Sequence, residues 1–111
     1  MSAIHESELI SITTTVGTSE DASRLAGDLL NCRLAACVQI EGSLQSHYRW
    51  QDKACIDTEW RLTIKTVAAH LPAIEAFMAS EHPYELPQLL WQAQGASAAF
   101  GAWVREQVAP G

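Results

Sequence analysis

Apolar and polar positions along the chain switch between two periods, and the switches mark out its elements. Residues Glu8 to Val16 are rich in Ile and Thr, β-branched types that suit a pleated surface, and predict a first strand closed by Gly17. Thr18 stands where it can cap a helix whose first turn carries Glu20 and Asp21, negative charge at the positive end of the dipole. Ala22, Leu25, Ala26, Leu29 and Leu30 then recur at the helical spacing, one apolar stripe for a sheet to receive, and the helix ends near Arg33. Leu34 to Ile40 is apolar except at Gln39, the pattern of an internal strand buried on both faces, and Gly42-Ser43 breaks the run.

The following segment departs furthest from ordinary proportions. Leu44 to Trp50 predicts a strand, Gln51-Asp52-Lys53 a turn, and Ala54 to Val67 a long alternating strand. Ala54, Ile56, Thr58, Trp60, Leu62, Ile64 and Thr66 share one face; Cys55, Asp57, Glu59, Arg61, Thr63 and Lys65 share the other. Strands ordinarily run roughly 5 to 6 residues, so this hairpin must overhang its own domain. The overhang exposes Trp50, Trp60 and an unpaired edge, which calls for cover by another chain, most simply in a closed ring of identical subunits. A second helix is predicted from Leu71 to Glu81, with Pro72 in its first turn, a buried face of Leu71, Ile74, Phe77 and Met78, and Pro83 as its stop. Gln88 to Gln94 predicts the fourth strand, and Ser97 to Val108 a last helix carrying Phe100, Trp103, Val104 and Val108. The order β-α-β-β-α-β plus a C-terminal helix makes residues 1–111 a single α+β domain, a ferredoxin-like sandwich with two helices on one face of a four-stranded antiparallel sheet. The other face is left for partner sheets in an oligomer.

Composition narrows the function classes. A formal charge of −6, with seven Lys plus Arg among 111 residues, argues against a nucleic-acid partner, which needs a basic stripe. Met1 to Glu8 lacks the cationic start and apolar run of a secretion signal, and no 18-residue apolar stretch offers a membrane span. Cys32, Cys37 and Cys55 are an odd set with no CxxC, so the expectation is a cytoplasmic protein with reduced thiols, Cys37 a small core residue and Cys55 open to oxidation beside the turn. His5, His47 and His70 are scattered without ligand spacing and read as surface residues. No Ser-His-Asp set, phosphate-cradling loop or catalytic carboxylate pair is evident, and the expectation is that the protein is not an enzyme.

Two constellations carry candidate chemistry. The segment His82-Pro83-Tyr84-Glu85-Leu86-Pro87-Gln88 is a stiff, polar-tipped loop at the mouth of the sheet. Two readings are open for His82: a metal ligand with Glu81 or Glu59 in a cleft between subunits, or a helix-terminal imidazole at the negative end of the dipole. Tyr48, Trp50, Glu59, Lys65 and Tyr84 form the other set. They predict either an aromatic-walled inter-subunit pocket with a Glu/Lys pair, or interface anchors beside a solvated ion pair contributing about 0 to 1 kcal/mol.

The pieces Leu34-Ala35-Ala36-Cys37-Val38, Ser46-His47-Tyr48-Arg49-Trp50, Glu59 six residues before Lys65-Thr66, His82-Pro83-Tyr84 with Pro87 and Leu89-Leu90, and Trp103 occur in an order and spacing that resembles the CutA divalent-cation tolerance proteins, from about residue 9 to 106. The resemblance implies a ferredoxin-like fold assembled as a tight homotrimer with exchanged hairpins, and a part in copper and divalent-cation tolerance and metal homeostasis. Some family members carry a Cys near the end of strand one and a His-His pair before the Pro-Tyr, linked to copper binding. Here those positions hold Thr14, Glu81 and His82. A thiolate and one imidazole are replaced by harder oxygen groups, so copper or another divalent cation is expected to bind weakly or with altered preference. The rival expectation is a signalling or scaffold trimer that binds a small metabolite or partner protein in its inter-subunit clefts.

Overall fold

Strand β1 (Leu9–Val16) sits inside the sheet, as its β-branched run requires: Ile10, Ile12, Thr14 and Val16 are each at most 1% exposed. It belongs to a computed structural model that describes His5 and residues 8–110. The reading of the N-terminal segment at residues 1–4, 6 and 7, and the domain's last residue, Gly111, lie outside the described residues. Helix α1 (Ser19–Asn31) begins at Thr18, whose Oγ1 accepts the Asp21 N–H at 3.1 Å, and lays Ala22, Leu25, Ala26 and Leu29 on the sheet. It closes with Arg33 at φ 58, while Arg33 N–H donates to the Leu30 carbonyl and Leu34 N–H to that of Leu29, both at 3.0 Å. That pairing is a Schellman motif.

Strands β2 (Cys37–Trp50) and β3 (Lys53–Val67) form the long hairpin, turning on Gln51 and Asp52 alone, both left-handed at φ 50 and 64. A 3₁₀ turn (Ala68–His70) leads into α2 (Leu71–Glu81), with Pro72 in its first turn and Ile74 and Met78 buried. Strand β4 (Leu90–Ala93) and helix α3 (Ala98–Gln107), capped by Ser97 Oγ on the Phe100 N–H, complete the fold. Sheet order is β2-β3-β1-β4, with β1 antiparallel to β3 and β4, and β2 antiparallel to β3. One face carries α1 and α2 over Ile10, Ile12, Leu62 and Ile64. At the end of the other face, α3 packs Val104 and Val108 on Leu9 and Val67.

Six expectations need correction. The apolar run Leu34–Ile40 is not an internal strand: β2 is an edge strand beginning at Cys37, and the run is apolar because Leu34 and Ala35 fill the core as a loop beneath α1. The strand does not break at Gly42-Ser43. Those two residues form a bulge opposite Trp60, between the pairs Glu41↔Arg61 and Leu44↔Glu59. Trp60 is not exposed by the overhang; it packs half-buried on the Val16, Ala22, Leu25 and Leu62 cluster, and a Cβ at Gly42 would run into its indole. The fourth strand spans four residues rather than seven, and Cys37 is half-buried on the edge rather than in the core. His70 is half-buried too, its Nε2 bonded to the Val108 carbonyl at 2.9 Å.

The overhang itself is present. Val16 pairs with Trp60, so residues 53–59 of β3 have only β2 beside them. The Cα radius of gyration is 14.7 Å, against about 13 Å for a compact chain of this length, and the ribbon accounts for the excess.

Candidate functional site

The bulge in β2 decides which side chains the hairpin presents. With Gly42 and Ser43 both opposite Trp60, Leu44 pairs with Glu59, Ser46 with Asp57 and Tyr48 with Cys55. One residue fewer would bring His47 and Arg49 to that face, because side chains alternate strictly along a strand. Tyr48 instead reaches Asp57 and donates its hydroxyl to Oδ2, and the neighbouring carboxylate pushes the phenol pKa up to about 12.

The loop after α2 closes the site from the other side. His82, 8% exposed, takes the end of α2, its N–H donating to the Met78 carbonyl at 3.0 Å. Its Nδ1 accepts the Tyr84 N–H at 3.1 Å. The remaining proton therefore sits on Nε2, which donates to the Thr15 carbonyl at 3.0 Å and lies 3.0 Å from Thr14 Oγ1. Burial disfavours the imidazolium and lowers the His82 pKa. The imidazole fixes Tyr84, whose ring meets it edge-on at 5.0 Å and whose hydroxyl donates to Glu59 Oε2 at 2.6 Å. Burial and this carboxylate together raise the Tyr84 pKa.

A cleft of about 960 Å³ results, lined by Tyr48, Trp50, Asp57, Glu59 and Thr15 on the sheet side and by residues 83–88 of the loop. Glu59 is 8% exposed, contrary to the expectation of a solvated ion pair. Lys65 is not its partner within the chain: six residues along β3, at roughly 3.3 Å each, the ammonium lies over Phe100 at 5.8 Å and lines a second cavity beside α3. Tyr48, Trp50 and Tyr84 do share the cleft within one chain. Asp57, the acceptor for Tyr48, was not singled out from the sequence; its register opposite the bulged strand is the signal that finds it.

The predicted metal set is not assembled within one chain. Both His82 nitrogens are engaged in hydrogen bonds, so no lone pair is left for an ion. Glu81 faces α1, exposed, with Arg24 at 3.4 Å from its Oε1 and the Ser80 hydroxyl on Oε2. Among the described residues no group of three or more His, Cys, Asp or Glu is placed to hold a metal ion. The cleft is lined instead by three acidic residues, Asp57, Glu59 and Glu85, with His47 beside them.

Residues 10–107 match the family model described as CutA1 divalent ion tolerance protein. The Divalent-cation tolerance protein CutA of Thermus thermophilus is 38% identical over 76 residues, 68% of this chain and 74% of that protein. Protein CutA 1, chloroplastic, of Oryza sativa subsp. japonica is 36% identical over 81 residues, 73% of this chain and 46% of that protein. The structure of CutA from Synechococcus elongatus superposes with a TM-score of 0.87 at 36% identity, covering 97% of each chain.

Proposed function

The chain belongs to the CutA1 divalent ion tolerance family, and from that premise we propose that it serves divalent-cation tolerance and metal homeostasis by binding rather than by catalysis. The working unit is a homotrimer in which neighbouring subunits cover the overhanging ribbons and wall in the Glu59 cleft. Exposed Trp50 and Ile56 on the ribbon and Leu86 on the cleft loop support that assembly, since large apolar side chains around one overhang ask for cover. Three unpaired cysteines support residence in a reducing cytoplasm, although the rice relative's name places that protein in a chloroplast.

The observation that carries the binding reading is Glu59. Its carboxylate is over nine-tenths buried at the cleft wall, holds one phenol, and among the described residues has no cation within ion-pair distance. A buried carboxylate in that position attracts a positive ligand. Copper remains the first ion to test, but the ligands are carboxylate oxygens of Glu59 and Asp57 and not the His82 imidazole, which makes the binding weak and poorly selective among divalent ions. The aromatic walls favour the second reading, a small metabolite held in the same cleft.

Calorimetric titration of metal-stripped protein with copper and zinc tests the first reading. The expected result is weak saturable binding that Glu59→Gln removes and His82→Gln retains. No saturable heat with either ion, or loss confined to His82→Gln, refutes it.

A further inference from the structure

Everything charged on the wall of the Glu59 cleft is negative. Asp57, Glu59 and Glu85 line it, and no Lys or Arg does. The next basic residue along β3 on the same face, Arg61, is already taken by Glu41 at 3.2 Å. Neither Asp57 nor Glu59 takes part in an ion pair among the described residues, and each receives only a phenol on one oxygen. Among the described residues Glu59 Oε1 has no hydrogen-bond partner, and yet it is not sealed off, because none of their polar side-chain atoms is both fully buried and unpaired. It faces the cleft with an uncompensated charge.

The rest of the wall is aromatic. Tyr48, Trp50 and Tyr84 keep 42%, 41% and 36% of their surface open although each is anchored by its place in a strand or a bonded loop. The two phenol protons are committed to Asp57 and Glu59, so each ring is tethered by its hydroxyl at a carboxylate. At about 960 Å³ the cleft lies at the upper end of the roughly 300–1,000 Å³ of small-molecule sites, far more than a dehydrated metal ion fills. Its oxygen donors belong to three separate carboxylates, and the one imidazole on its lining, that of His47, is bonded through Nε2 to Gln45 at 2.9 Å; among the described residues no three such groups converge, which makes a poor cage for a transition metal. Negative charge between aromatic rings is instead the environment that recognises an alkylated ammonium, through the ring quadrupoles and the carboxylates together.

We propose that the Glu59 cleft is a binding site for an organic cation, a substituted ammonium seated between Tyr48, Trp50 and Tyr84 with its charge against Glu59. The proposal rests on the reading of this cleft as the cation site and names the chemical class of ligand that it prefers. Positive charge and shape contribute separately, so a charged ligand and its uncharged isostere must bind differently.

The probe is choline, compared with 3,3-dimethylbutan-1-ol, which has the same shape without the charge. Both are titrated into the full protein in its native assembly at constant low ionic strength, followed by tryptophan emission and by saturation-transfer NMR of the ligand methyl groups. Choline is expected to bind saturably and about tenfold more tightly than the neutral alcohol, a difference of about 1.4 kcal/mol. Glu59→Gln is expected to remove that difference while leaving alcohol binding unchanged. Trp50→Ala, at a partly open ring outside the core, is expected to weaken choline about tenfold with an unaltered circular dichroism spectrum. Equal binding of the two probes overturns the proposal, as does choline binding that Glu59→Gln leaves unaffected. Copper binding without choline binding overturns it too and leaves the metal reading standing. Choline binding without copper binding supports it and removes the metal reading alone.

Discussion

His82 joins the end of α2 to the last residues of β1 and to the loop that carries Tyr84, and it does so only as a neutral ring. Nδ1 must remain an acceptor for the Tyr84 N–H, and Nε2 must keep its proton for the Thr15 carbonyl. A second proton would set two N–H groups against each other at Nδ1 and break the contact that holds the cleft loop. Burial works in the same direction, lowering the His82 pKa, while the Thr15 carbonyl, Asp21 and Glu59 oppose it and Arg24 adds to it. The sign for stability follows from proton binding. Below the ordinary histidine pKa of about 6.5 the unfolded chain takes up a proton that the folded chain resists, so stability falls as pH drops from about 7 and levels off below the folded-state pKa. Urea unfolding midpoints at pH 7.5 and 5.5 are expected to drop for the wild type and to change less for His82→Gln, whose amide does not titrate. An equal drop in both proteins would mean that other groups carry the dependence.

Along the elements, much is legible in the sequence. Helix α2 runs from Leu71 to Glu81 as the Pro72 and Pro83 positions dictate, and the alternation of β3 sorts Leu62, Ile64 and Thr66 to the core. Local rules suffice there because the determinants lie within a few residues of one another. The two readings of Glu59 could not be separated because its partner Tyr84 lies 25 residues away, nor those of His82, because Thr14 and Thr15 are 68 and 67 residues away. No periodicity encodes such meetings. The Gly42-Ser43 bulge sits between the two cases: a sequence shows glycine and serine, and only the opposing Trp60 explains why a residue without Cβ is needed. Gly42→Ala therefore pits a methyl group against the indole, which must leave its cluster or push β2 outward. Overpacking of this kind is expected to cost about 1–3 kcal/mol. Urea unfolding measures the loss, and near-ultraviolet circular dichroism registers the displaced indole; a variant as stable as the wild type, with the same aromatic spectrum, would mean that the bulge has room to spare.

For the whole molecule, the question is what covers a two-stranded ribbon with no third strand beside it. Ile56 makes the case most sharply. The alternation of β3 puts it on the core-facing side with Leu62 and Ile64, yet it stands 60% exposed because neither helix reaches that far. It belongs to none of the buried clusters, so replacing it leaves the fold of one chain untouched. Burying such a side chain between subunits is worth about 1.5–3 kcal/mol, repeated at every symmetry-related contact of a closed ring. The edge of β2 meanwhile offers its unpaired backbone groups to any strand that comes alongside. Equilibrium sedimentation at micromolar concentration is expected to give the wild type three times the mass of one chain. Ile56→Asp is expected to shift the population toward single chains on dilution with an unchanged far-ultraviolet spectrum, because a carboxylate at that contact would have to be desolvated three times over. A wild type that sediments as a single chain would remove the trimer, and with it the neighbouring wall of the Glu59 cleft. A variant still trimeric at every dilution would put the contact elsewhere on the ribbon.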